Sequence, residues 1–444
     1  MFQTLRNAWK ITDLRKKILY TLFIVLIFRL GSAITLPFIN VDQMAEGVKN
    51  IEGPLSMLML LSGGGFSDAS IFALSITPYI NASIIIQLLT VAIPPLERLA
   101  KEGESGRKKL GQITRYTTIA LGIMLGIAYF LMIKNKYNAL EKTTGWAFWF
   151  SAVVIVLCFT AGSALMMWLG EQINERGIGN GISMLLFAGI LSRSRNAAIF
   201  LWNLFYTDGI KNLESGTGLK FVILVPVILI LFLAIIAFIV VITDAERRIP
   251  VQYAKRVVGR KMYGGQNTYI PIKVNMSGVM PIILAASMVS VPSVIFSFTG
   301  TPVGKGIFGK IGLFIFTVFN PTHPVYASLY FMLIIGFAFF YVTIQYNPLE
   351  MSNNLRKNSG AIPGYRPGRP TVDYIKRVLN KITLIGAICL GVIATFPIIF
   401  SSISGIDGLA LGGTSIMIIV GVAIETTQQI ESQMMMRHYK GFLE

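Results

Sequence analysis

Long apolar runs recur along this 444-residue chain and constrain its fold more than any other feature. A helix needs about 20 mostly apolar residues to cross the roughly 30 Å hydrocarbon core of a bilayer. The sequence therefore predicts an all-α, multi-pass membrane protein with ten transmembrane helices. The ten predicted spans are Ile18–Leu36, Ile71–Ile93, Tyr116–Ile133, Ala147–Leu169, Asn180–Phe200, Phe221–Thr243, Val279–Phe298, Tyr326–Ile344, Ile382–Phe400 and Leu411–Gln433.

The distribution of basic residues predicts the orientation of these spans. An even number of spans places both termini on one side, and 28 of the 39 Lys and Arg residues fall on that side, against 10 on the other. Cytoplasmic loops carry an excess of Lys and Arg, so both termini are expected in the cytoplasm. The first 17 residues lack a cleavable signal pattern, which predicts a retained first span. Topology thus accounts for much of the net charge of +18, and no nucleic-acid-reading function is expected.

Two loops on the cytoplasmic side are longer and more basic than a short connector requires. Asp244–Asn275 and Gln345–Lys381 each hold seven Lys or Arg residues. Connections between helices of a bundle usually have two to eight residues. We therefore predict that both loops are structured docking surfaces for a large partner with an acidic or phosphate-rich surface.

One apolar segment between spans 1 and 2 is too short to cross a membrane. Gly53–Ser70 contains the apolar stretch Leu55–Leu61, and three consecutive glycines at 63–65 then end any helix. Such a segment fits a half-helix that dips into a protein-lined cavity. An amphipathic helix that lies on the outer surface fits equally well.

Span 2 carries an unusual number of polar side chains. Asn81, Ser83 and Gln87 stand among isoleucines, and polar groups that face lipid cost free energy. This face should look toward other helices or water. Ile80 and Ile84 are four residues apart and share one face of the helix, for which ordinary packing is the simpler explanation.

Three classes of membrane protein fit such a chain, namely a protein-conducting channel, an ion-coupled transporter of a small molecule and a membrane enzyme. Few ionisable residues lie inside the predicted spans, Arg29 and Glu425 among them, which is fewer than a coupled transporter usually needs. The two cysteines and two histidines show no metal-ligand or redox spacing. We therefore expect no enzymatic activity and no cofactor, and the channel is favoured.

Seven stretches, in this order and spacing, resemble the SecY family over nearly the whole chain. They begin at Ser62 (SGGGFSDASIFALSITPYINASIIIQLL), Lys101 (KEGESGRKK), Trp168 (WLGEQINERGIGNGIS), Ala245 (AERRIPVQYAKR), Ile270 (IPIKVNMSGVMP), Asn347 (NPLEMSNNLRKNSGAIPGYRPGRPT) and Gly412 (GGTSIMIIVGVAIETTQQIESQ). The resemblance implies two inverted five-helix halves, residues 1–205 and 206–444, around an hourglass pore. It also implies that residues 53–72 contain a plug helix.

The same resemblance implies roles for individual residues. The pore ring would consist of Ile80, Ile84, Ile182, Leu186, Ile283 and Ile418. The plug residues would be Leu55, Met57, Leu58, Leu61, Gly63, Gly64, Gly65 and Phe66. Gln87 and Asn275 would lie at a lateral gate, although Asn275 could instead cap span 7. Arg256, Arg260, Lys261 and Arg366 would contact a motor ATPase or the ribosome, with a plain turn as the alternative around Arg366.

The resemblance further implies a function for the whole chain. It would be the central subunit of a channel in the bacterial plasma membrane that translocates signal-sequence-bearing polypeptides and releases transmembrane segments into lipid. Its expected partners are the SecE and SecG subunits, the SecA motor ATPase, the ribosome, signal sequences, unfolded preproteins and membrane lipids.

Overall fold

The computed structural model describes most of the chain. The described residues are 2–44, 64–135, 137–140, 145–210, 218–253, 256–258, 261–263, 267–299, 312–314, 317–319, 323–404 and 412–440.

Helices account for most of the described residues, as the apolar runs predict. They are α1 (Phe2–Lys10), α2 (Thr12–Ala33), α3 (Thr77–Ala92), α4 (Pro94–Lys101), α5 (Glu104–Asn135), α6 (Trp146–Arg176), α7 (Gly181–Asn203), α8 (Gly218–Asp244), α9 (Met280–Thr299), α10 (Pro324–Gln345), α11 (Pro348–Lys357), α12 (Arg369–Ser404) and α13 (Gly412–Lys440). A π-helical segment, Leu204–Ile210, continues α7.

The strands lie in the two long basic loops. They are β1 (Glu246–Tyr253), β2 (Arg256–Val258), β3 (Lys261–Tyr263), β4 (Asn267–Lys273) and β5 (Gly360–Ala361). Strand β1 pairs antiparallel with β4 on one side and with β5 on the other, while β2 and β3 form a separate two-stranded sheet. Because β5 belongs to the second basic loop, one sheet joins both loops.

The chain divides into two compact units. Unit 1 comprises residues 1–231, 290–323 and 418–444, and unit 2 comprises residues 232–289 and 324–417. In unit 1, α5 packs against α3 and α6, and α6 packs against α2 and α7. In unit 2, α10 packs along α12, and the sheet covers the first turns of α12.

Five helices in the described part of the chain are long and apolar enough to span a membrane. They cover 104–135, 146–176, 222–244, 325–357 and 369–401. Helices α3 and α4 together meet the same criteria, but they are bent by 102° at their junction. The α-helical, multi-pass architecture is therefore confirmed, and the count of ten spans stays a prediction.

The start of span 2 differs from the prediction. The helix begins at Thr77 rather than Ile71, and residues 64–76 form turns. Pro78 occupies the second helical position, where its missing N–H costs nothing, and proline disfavours helical backbone in the residue before it. The hydropathy of the preceding residues therefore reflects burial in unit 1 instead of a longer helix.

Candidate functional site

The first two predicted ring residues lie on α3. Ile80 is buried and Ile84 is half-buried, one turn further along the same face. Ala82 and Ile86 are also buried, so most of the inward side of this helix is apolar. Their positions are consistent with a role in a pore constriction and equally with ordinary packing between helices.

Helix α7 carries the next two ring residues within its first two turns. Asn180 caps this helix, because its Oδ1 accepts hydrogen bonds from the backbone N–H groups of Ile182 at 3.1 Å and Ser183 at 3.5 Å. Ile182 is half-buried, whereas Leu186 is only 1% exposed. The cap thus fixes the first turn of the helix that presents both side chains.

The last two ring residues lie in different compact units. Ile283 of α9 belongs to unit 2, and Ile418 of α13 belongs to unit 1. Both side chains are buried. The six-residue ring therefore stays a prediction.

Only the end of the predicted plug lies within the described residues. Gly64, Gly65 and Phe66 are described, whereas Leu55, Met57, Leu58, Leu61 and Gly63 lie outside. The backbone from Gly64 to Ser70 forms tight turns, in which Ser67 N donates to the Gly64 carbonyl at 2.9 Å.

The end of the plug segment is anchored in an aromatic cluster of unit 1. The Phe66 ring lies 4.4 Å from the Tyr129 ring, and the Tyr129 hydroxyl donates a hydrogen bond to the Phe66 carbonyl. The Tyr129 ring also lies 4.9 Å from the Phe159 ring of α6. The chain just after the three glycines is therefore held against α5 and α6.

The two predicted gate residues have contrasting environments. Gln87 is exposed on α3, where its Nε2 donates to Ser83 Oγ at 3.3 Å. Asn275 precedes α9 and is 8% exposed, and its Oδ1 accepts no hydrogen bond from the described residues. Asn275 therefore does not cap the helix through this oxygen. The two residues belong to different units, and the gate stays a prediction.

The two basic loops pack together into one small body, although they are far apart in the sequence. We call β1, β4, β5, α11 and the first part of α12 (Arg369–Ile382) the sheet body. Its apolar core consists of Ile249, Val251, Ile272, Met276, Val342, Leu355, Ile362, Ile375, Leu379 and Ile382. The core comes from separate stretches of the chain, which periodicity within either loop does not reveal.

Arg366 is exposed on a turn of the sheet body that is well anchored. The Arg366 carbonyl accepts a hydrogen bond from Thr371 Oγ1 at 2.8 Å, and the Tyr365 ring lies 4.2 Å from the Tyr374 ring. Gly368 has a φ of +113°, which suits glycine and lets the chain enter α12 directly after the turn. The side chain of Arg366 forms no ion pair with the described residues.

Two of the other three predicted docking residues lie on the two-stranded sheet. Arg256 is on β2, paired with Tyr263, and Lys261 is on β3, paired with Val258. Arg260 falls outside the described residues. The hairpin therefore places the backbones of Arg256 and Lys261 on adjacent strands.

A second exposed cation, Arg248, lies on β1. Its Nε donates to Glu246 Oε1 at 2.6 Å, and its guanidinium lies 4.7 Å from the Tyr269 ring centre. The hydrogen bond from Arg248 to the carboxylate raises the pKa of Arg248. The guanidinium therefore stays charged at any physiological pH.

A cavity of about 390 Å³ lies between α7, the π-helical segment and α8 in unit 1. Its lining residues are Ala198, Leu201, Trp202, Phe205, Val225, Pro226 and Leu229. These side chains are apolar or aromatic, whereas a site for a polar small molecule carries several converging polar groups. Among the described residues, no three His, Cys, Asp or Glu side chains lie close enough to hold a metal ion.

Comparison with known protein families and with characterised proteins shows the family of the chain. The family model described as SecY matches residues 70–427. A protein translocase subunit SecY from Mycobacterium tuberculosis is 42% identical over the full length of both chains, and one from Streptomyces scabiei is 41% identical over the same extent.

The chain belongs to the SecY family.

Solved structures of the SecY and Sec61 type share the fold. One describes how the plug domain of SecY stabilises the closed translocation channel, with a TM-score of 0.63, 18% identity and coverage of 94% and 92% of the two chains. A second, described as a protein-conducting channel, has a TM-score of 0.60 at 17% identity and the same coverage. Canine Sec61 in a ribosome–channel complex has a TM-score of 0.59 at 16% identity, again with coverage of 94% and 92%.

These matches favour a protein-translocating channel over a small-molecule transporter, which confirms the function that the motifs indicate. The turn before α7 is held by side chains that the sequence pattern does not predict. Thr21, Asn174 and Gln429 bind the backbone there. The polar motif at 174–181 indicates a turn with bound backbone groups, but it does not identify the distant residues that bind them.

Proposed function

We propose that this SecY-family chain is the central subunit of a channel that translocates signal-sequence-bearing polypeptides across the bacterial plasma membrane. It also releases transmembrane segments sideways into lipid. The observation that carries the proposal is the 42% identity to protein translocase subunits over the full length. The alternative, an ion-coupled transporter of a small molecule, finds no support in the family match.

The channel itself is passive and catalyses no reaction in this proposal. A motor ATPase of the SecA type or a translating ribosome supplies the driving force, and small membrane subunits of the SecE and SecG type complete the complex. Both termini lie in the cytoplasm, as the excess of basic residues on that side supports. Residues 1–205 and 206–444 form the two halves that enclose the pore.

The sheet body is the proposed docking surface for the motor or the ribosome. It holds exposed cations above a dedicated apolar core, so the cations need not contribute to folding. Arg366 lies on an anchored turn, which lowers the entropy lost when its guanidinium binds a carboxylate or phosphate. Arg256, Arg260 and Lys261 extend the surface along the hairpin.

The ring residues Ile80, Ile84, Ile182, Leu186, Ile283 and Ile418 form the proposed constriction. Branched apolar side chains bind no ion, and a narrow apolar constriction excludes water when it is empty. The same side chains can spread around an extended polypeptide of almost any sequence. The barrier to ions and the passage for polypeptides therefore use one set of residues.

Residues 53–72 contain the proposed plug, with Phe66 at its fixed end. The contacts of Phe66 with Tyr129 support attachment of the end of the plug to the half of the chain that contains α5. Gln87 and Asn275 are the proposed polar residues of the lateral gate. The Oδ1 atom of Asn275 has no hydrogen-bond partner among the described residues, which supports this role because such an atom is available to bond across a seam.

Reconstitution tests the whole proposal. The chain is placed in liposomes with SecE-type and SecG-type subunits, and a signal-bearing substrate is added with SecA and ATP. We expect full-length substrate to become protected from protease, and a substrate without a signal sequence to stay accessible. Failure of protection by a folded complex that binds SecA would contradict the channel function.

Charge reversal at Arg366 tests the docking role. We expect Arg366→Glu to reduce SecA-driven protection at least about ten-fold, because a like charge then faces the acidic partner surface. Lys376→Glu is the matched control, since Lys376 is another exposed cation of the sheet body. Equal losses in both variants would show that general charge matters and Arg366 does not.

A further inference from the structure

The turn between α6 and α7, which we call the α6–α7 loop (residues 177–180), is bound by side chains from two other helices of unit 1. The backbone N–H of Ile178 donates to Thr21 Oγ1 of α2 at 3.0 Å. The backbone N–H of Gly179 donates to Gln429 Oε1 of α13 at 2.7 Å. Two successive peptide groups of the loop thus form hydrogen bonds with α2 and α13.

The bond to Thr21 is the more buried of the two. Thr21 is 4% exposed, and its hydroxyl both accepts from Ile178 N and donates to the Lys17 carbonyl at 3.0 Å. A hydroxyl can serve both neighbours at once because it has one donor and two lone pairs. Removal of this oxygen would leave the N–H of Ile178 buried without a partner.

An apolar cluster lies beside the bond to Thr21. The Ile178 side chain is 2% exposed and belongs to a buried cluster with Ala8 of α1, Leu14 of α2 and Ile430 of α13. Water has little access to the Thr21 bond, so it cannot readily replace that partner, whereas Gln429 is exposed at the rim of the cluster. The first two helices and the last helix therefore meet at this loop.

The backbone conformation at Gly179 adds a steric constraint. Its φ is +90°, and a Cβ atom there would lie 3.1 Å from Met184 Cγ and 3.3 Å from Thr426 Oγ1. Only glycine accommodates both the left-handed backbone and these close neighbours. The loop therefore lies directly against the first turn of α7 and the side of α13.

The other end of the loop is fixed to the start of α7 by hydrogen bonds. Asn180 Oδ1 accepts from Ile182 N, and Asn174 Oδ1 accepts from Gly181 N at 2.7 Å. Ile182 is the second residue of α7, and Leu186 lies about 6 Å further along its axis. A shift of the loop must therefore move these two side chains.

We infer that the α6–α7 loop is a positioning device for the channel constriction, in which Thr21 of α2 and Gln429 of α13 hold these two helices against the start of α7. The inference rests on the proposed function and on its ring. Gln429 lies 11 residues after Ile418, roughly 16 Å along the same helix. One network thus sets the placement of Ile182, Leu186 and Ile418.

Loss of the network loosens both helices that carry these ring residues. Their side chains then close the empty constriction less tightly, and ions pass through the idle channel. A weaker closed state also needs less stabilisation from a signal sequence to open, because a ligand shifts an equilibrium only by its differential affinity. Leak and relaxed signal dependence should therefore appear together.

The test compares hydroxyl variants in the reconstituted complex, with idle ion conductance and protection of a signal-less substrate as readouts. We expect Thr21→Val to raise the conductance several-fold and to allow protection of that substrate. Thr21→Ser keeps the oxygen and should restore both readouts to the parent values. Thr118→Val is the matched control, because the buried Thr118 hydroxyl donates only to the Thr114 carbonyl of its own helix.

A second pair of variants covers the case in which Thr21→Val fails to assemble. Gln429→Leu removes the acceptor for Gly179, whereas Gln429→Glu retains one, so the first should leak and the second should not. The inference is overturned if assembled Thr21→Val or Gln429→Leu complexes conduct like the parent. Leak of equal size in Thr118→Val would also overturn it.

A direct ring variant separates this inference from the proposed function. Ile418→Ser combined with Ile80→Ser should raise conductance whether or not the loop acts as inferred. If these ring variants leak and the loop variants do not, only the positioning role fails. If neither leaks and the parent protects no substrate, the proposed channel function fails as well.

Discussion

The sheet body of unit 2 and the α6–α7 loop of unit 1 are both compact regions at helix ends, but they are stabilised by different chemistry. The sheet body has an apolar core that draws on both basic loops, and its cations lie outside that core. The loop and the first residue of α7 instead depend on individual hydrogen bonds that their backbone N–H groups donate to the side-chain oxygens of Thr21, Asn174 and Gln429.

This difference indicates what each region can do. A region with its own core tolerates changes on its surface, so exposed cations such as Arg366 can be selected for partners. A region held by single side-chain bonds transmits a change in any one of them to the helices that it joins. The comparison therefore predicts separable effects, and the following variants test it from the largest expected change in stability to the smallest.

Truncation of the sheet-body core should have the largest effect. Ile375 is 1% exposed, and Ile375→Ala removes buried methylene groups and leaves a cavity, which costs about 2–5 kcal/mol. We expect earlier thermal unfolding of unit 2 and faster protease cleavage within residues 244–275. Lys376→Ala, on the exposed side of the same helix, should leave both unchanged, and equal sensitivity would argue against a core.

Removal of the α7 cap should have a smaller effect on the loop region. Asn180→Ala eliminates the acceptor for Ile182 N and Ser183 N, and loss of such a cap costs about 1 kcal/mol. Chemical denaturation of the detergent-solubilised chain measures the change. Asn180→Asp keeps a capping oxygen and should match the parent, so a similar loss in both variants would exclude capping as the cause.

Disruption of the turn that carries Arg366 should reduce stability by an amount similar to loss of the cap. Tyr365→Ala removes a ring that packs on Tyr374, and such an aromatic pair contributes about 0.5–1.5 kcal/mol. We also expect weaker SecA binding by the assembled complex, because the turn is less ordered before docking. Tyr365→Phe retains the ring and should bind normally. Normal binding by Tyr365→Ala would show that the order of the turn is irrelevant.

The ion pair between α5 and α6 should have the smallest effect. Arg115 binds Glu171 through two contacts, at 2.9 Å and 2.8 Å, but half of the arginine side chain is exposed. Exposed pairs typically contribute about 0.2–1 kcal/mol. A double-mutant cycle with Arg115→Ala and Glu171→Ala measures the coupling, which should shrink as salt is added. A coupling energy well above this range would show that the ion pair stabilises the helix contact as strongly as the hydrogen bonds of the α6–α7 loop.

The sequence by itself determined the membrane class, the α-helical architecture and the family. Apolar runs of about 20 residues have one common structural solution in lipid, because every backbone group must be paired within a helix or a closed barrel. The motifs carried the family resemblance and the function, which the comparisons confirm. The basic residues also marked both loops, although their roles stay proposals.

Only the tertiary structure decided which distant residues meet. The pairing of Gln252 with Ala361 joins two loops whose paired residues are 109 positions apart, and the bond from Gly179 to Gln429 joins positions 250 residues apart. Hydropathy and local periodicity predict which faces of a segment are buried and which are exposed. They do not predict which two distant residues pair. Specific hydrogen bonds depend on the geometry of both partners, so they become visible only once the helices are packed.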